Sequence, residues 1–495
     1  MSIDVKVTLL YPPVQSWPGT MCKPNGSLAY PNLGGALLAH DVEVRVYDAA
    51  VGNDDDDLNA TFYEQTPLVS GLLRTGVSDE RILQAIADSH IVGITSIFTD
   101  QETMVLETTR VIKRAYPEKL VICGGVNSRS RLERFLDAGV DVVCLSEAEH
   151  TIQDIAAEVG RGGRDFSKLA AVAFRRDGQT VVNKMDPAQI VWDLDTLPMP
   201  AWHLLPNERY WKIARPHGGH FPQGTELRYG SMMTSLGCVF QCLYCHIAGE
   251  LPGSLSGEIG RFRIKSEDRV LAEVAELKKI GVKQVFVEDD TLFGMKRRAI
   301  DLLHLIKGQG LEIIDVNGVN VVHLMQKNEP DAEVLDALVG AGFREIVLPF
   351  ESGTQRVLRK YATNKWDTGY NIKALIEMCK KVGLTIAGNY MLGYPDETRA
   401  EIERTIEMAK YHMGAGLDSA NFFLVMPLPG TPLFESAMAE GFLPPDWNPD
   451  RMNWTKANMV NTEIPPQELE ELRDRAWHEI NNNDYVAYKS DMSVN

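Results

Sequence analysis

Leu236-Gly-Cys-Val-Phe-Gln-Cys-Leu-Tyr-Cys245 is the stretch on which the reading of this chain turns. It follows a short apolar strand at 231–235 and carries Cys238, Cys242 and Cys245 in the spacing C-x₃-C-x₂-C. Thiolates that close together can hold three of the irons of a [4Fe–4S] cube and leave the fourth without a protein ligand. An iron left bare binds a substrate or cofactor. A structural zinc site is the alternative, but zinc requires a fourth ligand. His246, adjacent to Cys245, is poorly placed to complete a tetrahedron with it, and Cys123 and Cys144 fall far away in apparent strands.

With Tyr244 as its aromatic, the run resembles the C-x₃-C-x-aromatic-C signature of the radical S-adenosylmethionine (radical SAM) enzymes. The resemblance implies that the open iron chelates the amino and carboxylate groups of SAM. It implies further that the reduced cluster splits SAM into methionine and a 5′-deoxyadenosyl radical, and that Tyr244 lies against the adenine.

Composition bounds the rest. At 495 residues the chain is too long for one ordinary core, so two or three domains are expected. Its apolar fraction of 44% and charged fraction of 24% are those of a globular protein. No stretch approaches roughly eighteen consecutive apolar residues, so no membrane span is expected. The N-terminus has no basic segment before an apolar one, so no export signal is read. Seven cysteines, an odd number without a paired framework, fit a reducing cytoplasmic compartment. A net charge of −18 argues against a nucleic-acid partner, which would need a basic footprint.

The first segment alternates short buried strands with helices: strands at 5–11, 42–47, 91–95, 120–123 and 142–145, a helix capped by Asp100, and a helix at 151–159. Unalternated β-branched strands with helical crossovers make a doubly wound parallel sheet of Rossmann type. Ligands of such sheets sit beyond the strand carboxyl ends, here at Pro12, Asp48, Ser96, Gly124, Gly125, Ser146 and Glu147. This order resembles the cobalamin-binding domain that precedes many radical SAM domains. The resemblance implies that Ser96, Gly124 and Gly125 line the cleft for the nucleotide tail, and that Ser146-Glu147-Ala-Glu149 stands where the family often has Gly-Glu-x-Glu. Glycines without a Cβ let a bulky ligand approach. Base-off cobalamin domains carry Asp-x-His-x-x-Gly; here Asp48-Ala-Ala-Val-Gly52 has alanine in the histidine place and one residue fewer. That motif therefore offers no lower axial histidine, a departure shared by the radical SAM members.

A connector follows, with a hairpin at 170–182 and a proline-broken strap at 193–202 in which Trp202 is packed. From 231 the alternation resumes, with strands at 231, 285–288, 313–319, 345–348, 385–391 and 419–426, a partial (β/α)₆ barrel. The expected organisation is α/β throughout: residues 1–160 a Rossmann-like cobalamin-binding domain, 161–230 connector, 231–430 radical SAM barrel, and 431–495 a C-terminal extension that closes the barrel against substrate. At the strand ends, Glu351 and Ser352 resemble the family's Glu-Ser-Gly element near SAM. Asp290 is read either as a SAM contact or, with Asp289, as a cap of the following helix. No catalytic residue is assigned.

The resemblance implies a cobalamin-dependent radical SAM methyltransferase whose cofactors are a [4Fe–4S] cluster, S-adenosylmethionine and cobalamin. One SAM methylates cob(I)alamin, a second yields the deoxyadenosyl radical, and an unactivated substrate carbon takes the methyl group. The partners implied are a small-molecule or peptide substrate and an electron donor such as flavodoxin or ferredoxin. Rival readings are an oxidative cyclase or ring-contracting enzyme, a methylthiotransferase, and a non-enzymatic cobalamin carrier or sensor. The methylthiotransferase would need a second cluster from Cys22, Cys123 and Cys144.

Overall fold

The computed structural model describes residues 5–487 apart from 21, 25–26, 222–224 and 364. The buried apolar runs near the N-terminus form β1 (Lys6–Tyr11), β2 (Glu43–Asp48), β3 (Ile91–Thr95), β4 (Leu120–Gly124) and β5 (Val142–Cys144), all parallel. The hairpin β6 (Val172–Arg176) and β7 (Gln179–Asn183) turns on Asp177 and Gly178, both at positive φ. The sequence places this hairpin in the connector. Its pairing corrects that: β6 runs antiparallel to β5, and the sheet order is β7-β6-β5-β4-β3-β1-β2. The strand order reverses between β1 and β3, the switch point at which such sheets take ligands.

Helices α1 (Ala29–Leu38), α2 (Glu102–Ala115) and α3 (Glu149–Gly160) follow from amphipathic runs. Leu37, Ile152 and Ile155 of α1 and α3 pack on one face of the sheet. Val105, Leu106 and Ile112 of α2 pack on the other. The helix-capping role read for Asp100 is not observed. Residues Thr99–Gln101 form a 3₁₀ turn and the N-cap residue of α2 is Gln101. A tightened first turn moves the boundary by one residue, a common displacement at helix ends.

The connector carries α4 (Asn207–Ile213). Its strap crosses α1 where Gly34 and Gly35 have no side chains: a Cβ on Gly35 would collide with the Met199 carbonyl. Trp202 is buried, and its Nε1 donates to the Ser231 carbonyl at 3.0 Å.

The second sheet has six parallel strands in sequence order: β8 (Tyr229–Met232), β9 (Gln284–Val287), β10 (Glu312–Asp315), β11 (Phe343–Glu351), β12 (Thr385–Leu392) and β13 (Ser419–Leu424). Its first strand begins earlier than the sequence suggests. Ser235–Leu236 instead pairs antiparallel with Arg263–Ile264 and so starts the cysteine loop from a fixed point. The helices α5 (Glu267–Lys279), capped by Ser266 through Arg269 N, and α6 (Lys296–Ile306) link the early strands.

The C-terminal region ties the molecule together. Helix α7 (Pro466–Ile480) lies along the open edge of β13. Just beyond it, the Asn481 side chain donates to Ala420 O and accepts from Ala420 N, both at 2.8 Å, which satisfies an otherwise unpaired strand edge. Upstream, Asp450 accepts from Gln15 Nε2 at 2.9 Å and Thr103 Oγ1 at 2.7 Å, both of the first domain. Arg131 stacks on Trp447. Among the described residues no helix is long and apolar enough to cross a membrane.

Candidate functional site

The cysteine loop is set by its backbone. Gly237 has φ +75°, and a Cβ there would run into the carbonyls of Gly260 and Arg261. Cys238 N donates to Gly260 O at 3.1 Å, and Leu243 N to Tyr361 O at 2.8 Å. Cys238 Sγ lies 2.6 Å from Thr291 Oγ1. Burial pushes the thiols of Cys238 and Cys242 up, and that of Cys245 to about 12; nearby Lys365 opposes the rise at all three. Among the described residues no group of His, Cys, Asp or Glu is gathered to hold a single metal ion. Zinc takes four donors, and this loop offers three cysteines. A cube, by contrast, places each thiolate on a different iron, and three soft, protected thiols in one loop fit that group.

The other residues read near the cysteines fall into two sets. Tyr244 is packed against Tyr394, with ring centroids 6.0 Å apart, and among the described residues its buried hydroxyl has no partner within hydrogen-bond distance. Glu351, at the end of β11, is held at φ +59°, a conformation that is costly for a residue with a side chain. Its carboxylate pairs with Lys365 at 2.9 Å, and the Lys365 ammonium stands 5.9 Å from the Tyr244 ring centroid. Glu351, Lys365 and Tyr244 thus form one polar corner beside Cys242. Ser352 is adjacent in sequence but fully buried. Its hydroxyl lies 3.3 Å from Thr354 Oγ1 and 3.4 Å from Thr405 Oγ1, a packing role rather than an open contact. The capping reading of Asp289 and Asp290 is overturned, because α6 begins at Lys296 with Met295 as its N-cap residue. Asp289 instead accepts from Thr234 N at 2.6 Å, Thr234 Oγ1 at 2.7 Å and Ser235 Oγ at 2.5 Å, bracing the strand that leads into the loop. Burial, then the Glu250 and Asp289 carboxylates, push the Asp290 carboxyl up to about 7.

A cavity of about 450 Å³ spans the two domains. Its first wall is the switch point: Tyr11, Pro12, Ser96, Gly124, Gly125, Ser146 and Glu147 line it, as do residues of α1 and α3. The barrel contributes Met233, Leu236, Ile259 and Glu288. This volume falls in the range of cofactor clefts. The lining shows which expected groups are open. Gly124 has no close neighbour, the nearest to a Cβ there being Cys144 Cβ at 3.8 Å. Gly125 is glycine for another reason: at φ +105° a Cβ would lie 2.5 Å from Ser96 O. Ser96 Oγ accepts from Asn127 Nδ2 at 3.0 Å. Ser146 Oγ donates to Ser256 O at 2.8 Å. Glu147 is gripped by Arg263, at 2.5 and 2.8 Å. Ser146 and Glu147 therefore tie the domains together at the rim, as does the Arg129–Glu250 ion pair. Asp48 accepts from Tyr210 OH at 2.7 Å and Ala50 N at 2.9 Å, and burial pushes its carboxyl up to about 6. The described lining includes no histidine.

Sequence reasoning missed three features. Gly93, inside β3, opens the sheet toward the cavity; an interior strand glycine is the signal for such an approach. Lys365 carried no local signal, since it lies in an irregular segment after α-helix Gln355–Tyr361. The third is Pro216-His217-Gly218-Gly219-His220, treated as plain connector. It reaches into the barrel mouth. His217 Nε2 lies 3.1 Å from Glu288 Oε1, and Phe221 stacks on Phe286 at 6.2 Å.

Residues 232–409 match the model of the Radical SAM superfamily, and residues 30–156 match that of the B12 binding domain. An uncharacterized methyltransferase of Pyrococcus horikoshii is 28% identical over 405 residues, covering 81% of this chain and 79% of the relative. The cytidylyl-2-hydroxyethylphosphonate methyltransferase of Streptomyces wedmorensis is 27% identical, covering 82% and 78%. Among solved structures, the radical S-adenosylmethionine methyltransferase TsrM of Kitasatospora setae, with cobalamin and a [4Fe-4S] cluster bound, superposes with a TM-score of 0.62 at 18% identity. That match covers 89% of this chain and 75% of TsrM.

Proposed function

Because this chain is a B12-binding radical SAM enzyme, we propose that it is a cobalamin-dependent methyltransferase acting on an unactivated carbon of a small-molecule or peptide substrate. The observation that carries this reading is the shared cavity: the switch point of the first sheet and the mouth of the barrel open into one space. Two cofactors that never met would not require that arrangement. The methyltransferase names of two relatives that each align with most of this chain support it.

In this reading Cys238, Cys242 and Cys245 hold the cluster, the Tyr244–Glu351–Lys365 corner and Asp290 receive SAM, and Ser96, Gly124 and Gly125 border the corrinoid. When bound, these groups supply the one-electron cleavage of SAM and the methyl group that is transferred. The chain supplies position and charge balance. Lys365 balances the Glu351 carboxylate and the cysteine thiolates in a buried corner. Arg263–Glu147 and Arg129–Glu250 tie the two domains together at the rim of the cavity. A methylthiotransferase is disfavoured, because Cys123 and Cys144 are buried on opposite faces of the first sheet and Cys22 lies 3.3 Å from Thr75 Oγ1. An electron donor of flavodoxin or ferredoxin type would complete the system.

The test is anaerobic reconstitution with iron, sulfide and cobalamin, followed by mass spectrometry against candidate substrates. Equal yields of 5′-deoxyadenosine and S-adenosylhomocysteine, with a product one CH₂ heavier, are expected. Deoxyadenosine with an unmethylated product would refute methyl transfer and favour a cyclase or rearrangement. Cys242→Ala should form no deoxyadenosine yet still bind corrinoid.

A further inference from the structure

We propose that Glu288, held in place by His217, is the group this chain sets against the barrel-facing side of the corrinoid, where it accepts a hydrogen bond from a protic ligand on the cobalt. The inference rests on the reading that the shared cavity holds a corrinoid. It starts from the composition of the barrel wall. Of the four residues the barrel contributes to the described lining, Met233, Leu236 and Ile259 are apolar, and Glu288 alone carries a charge. Glu288 follows β9 at its carboxyl end. In register, Ser231 pairs with Phe286, whose ring stacks on Tyr229 at 5.2 Å. Alternation along the strand then sends Glu288 to the same side as Phe286.

Its backbone is fully engaged: Glu288 N donates to Met232 O at 2.9 Å, and Asn317 Nδ2 donates to Glu288 O at 2.8 Å. Its side chain has one partner among the described residues, His217 Nε2 at 3.1 Å to Oε1. The Glu288 side chain keeps 21% of its surface exposed, and among the described residues its second oxygen has no partner.

The His217 loop is built for that contact. Ala214, in the left-handed conformation, ends α4 and turns the chain inward. Gly218 and Gly219 then pass close over β10: a Cβ on Gly219 would lie 3.2 Å from Ile314, and one on Gly218 3.4 Å from Val316. The His217 ring packs edge-on to Phe286 at 5.4 Å, and among the described residues its buried Nδ1 has no partner. A histidine oriented this firmly, at the cost of an unsatisfied nitrogen, fixes the Glu288 rotamer. The other charged groups of the cavity belong to the opposite wall: Arg129 pairs with Glu250, Glu147 with Arg263, and Glu149 lies at the start of α3.

Water on cobalt(III) is a cationic donor that becomes neutral on losing a proton. A nearby carboxylate favours the protonated, charged form and raises the pKa of that water by about 1–3 units. The experiment loads the anaerobic full-length protein with aquacobalamin and titrates the bound form from aqua to hydroxo by its visible absorption. No turnover is needed. Glu288→Gln should lower the transition by about one unit or more, Glu288→Asp should retain most of the native value, and His217→Asn should lower it by less than Glu288→Gln. An unchanged transition in Glu288→Gln with corrinoid bound overturns the proposal and leaves the functional reading intact. If the wild-type protein takes up no corrinoid, the functional reading fails instead. Should Glu288→Gln alone lose corrinoid, His217→Asn carries the measurement, and an unchanged value there overturns the positioning role.

Discussion

Replacing Arg263 by alanine tests whether the cavity rim is an electrostatic hinge-pin or merely a binding surface. The Arg263 side chain is 2% exposed and grips Glu147 with two nitrogens, while also donating to Val191 O at 2.8 Å and Ile259 O at 2.9 Å. Removing one partner of a buried pair costs about 3–5 kcal/mol. Glu147 keeps 22% exposure, so water recovers part of that, leaving about 2 kcal/mol. The buried Ile259 carbonyl and the half-buried Val191 carbonyl lose donors and add about 1 kcal/mol. The total, about 3 kcal/mol, is roughly a hundredfold change in the folded-to-unfolded ratio. Glu147→Gln retains hydrogen-bonding atoms and should cost about 1 kcal/mol. Equilibrium urea unfolding of the anaerobic apoprotein, followed by tryptophan fluorescence, reads both. The double variant should cost little more than Arg263→Ala, because the two side chains report one interaction. An Arg263→Ala protein within 1 kcal/mol of wild type, or strict additivity, would refute the reasoning and return Glu147 to the role of a ligand contact.

Gly125→Ala forces a side chain into a glycine-only conformation and against Ser96 O, and should destabilise the first domain by about 2–4 kcal/mol in the same assay. Lys365→Met leaves Glu351 buried without its cation; a loss of about 3 kcal/mol and weaker SAM binding by anaerobic calorimetry are expected, with unaltered SAM affinity counting against the corner as its site. Asp48 ionises near 3.8 when unfolded and near 6 when folded. Its folded-state pKa is raised, so the stability it supplies below about pH 4 is lost as pH rises toward 6, amounting to about 2–3 kcal/mol. Asp48→Asn should flatten that part of the stability–pH curve; an unchanged slope between pH 4 and 6 would show that burial does not perturb this carboxyl.

The parts of this molecule that were legible in sequence are those written locally. The strands β1 to β5 announce themselves as buried β-branched runs, and the cysteines by spacing alone. Ser266 gives its helix boundary through its own side chain. What escaped was written across distance. Nothing near residue 365 marks a lysine that must meet Glu351, and nothing at 263 marks an arginine that claims Glu147. The hairpin at 172–183 is unmistakable as a hairpin, but its allegiance to β5 is a matter of packing. Pro216-His-Gly-Gly-His220 did carry a signal, two histidines set in glycines, which composition alone reads as loop.

The contacts of Trp447 and Asp450 with Arg131, Gln15 and Thr103 bear on assembly. A ribosome delivers the first domain long before these residues emerge, and domains fold as units in the order they are made. Until the chain has been extended past position 450, the junction between the two halves lacks its last fasteners. Synthesis itself thereby provides an interval in which the two halves can shift against each other before these contacts hold them.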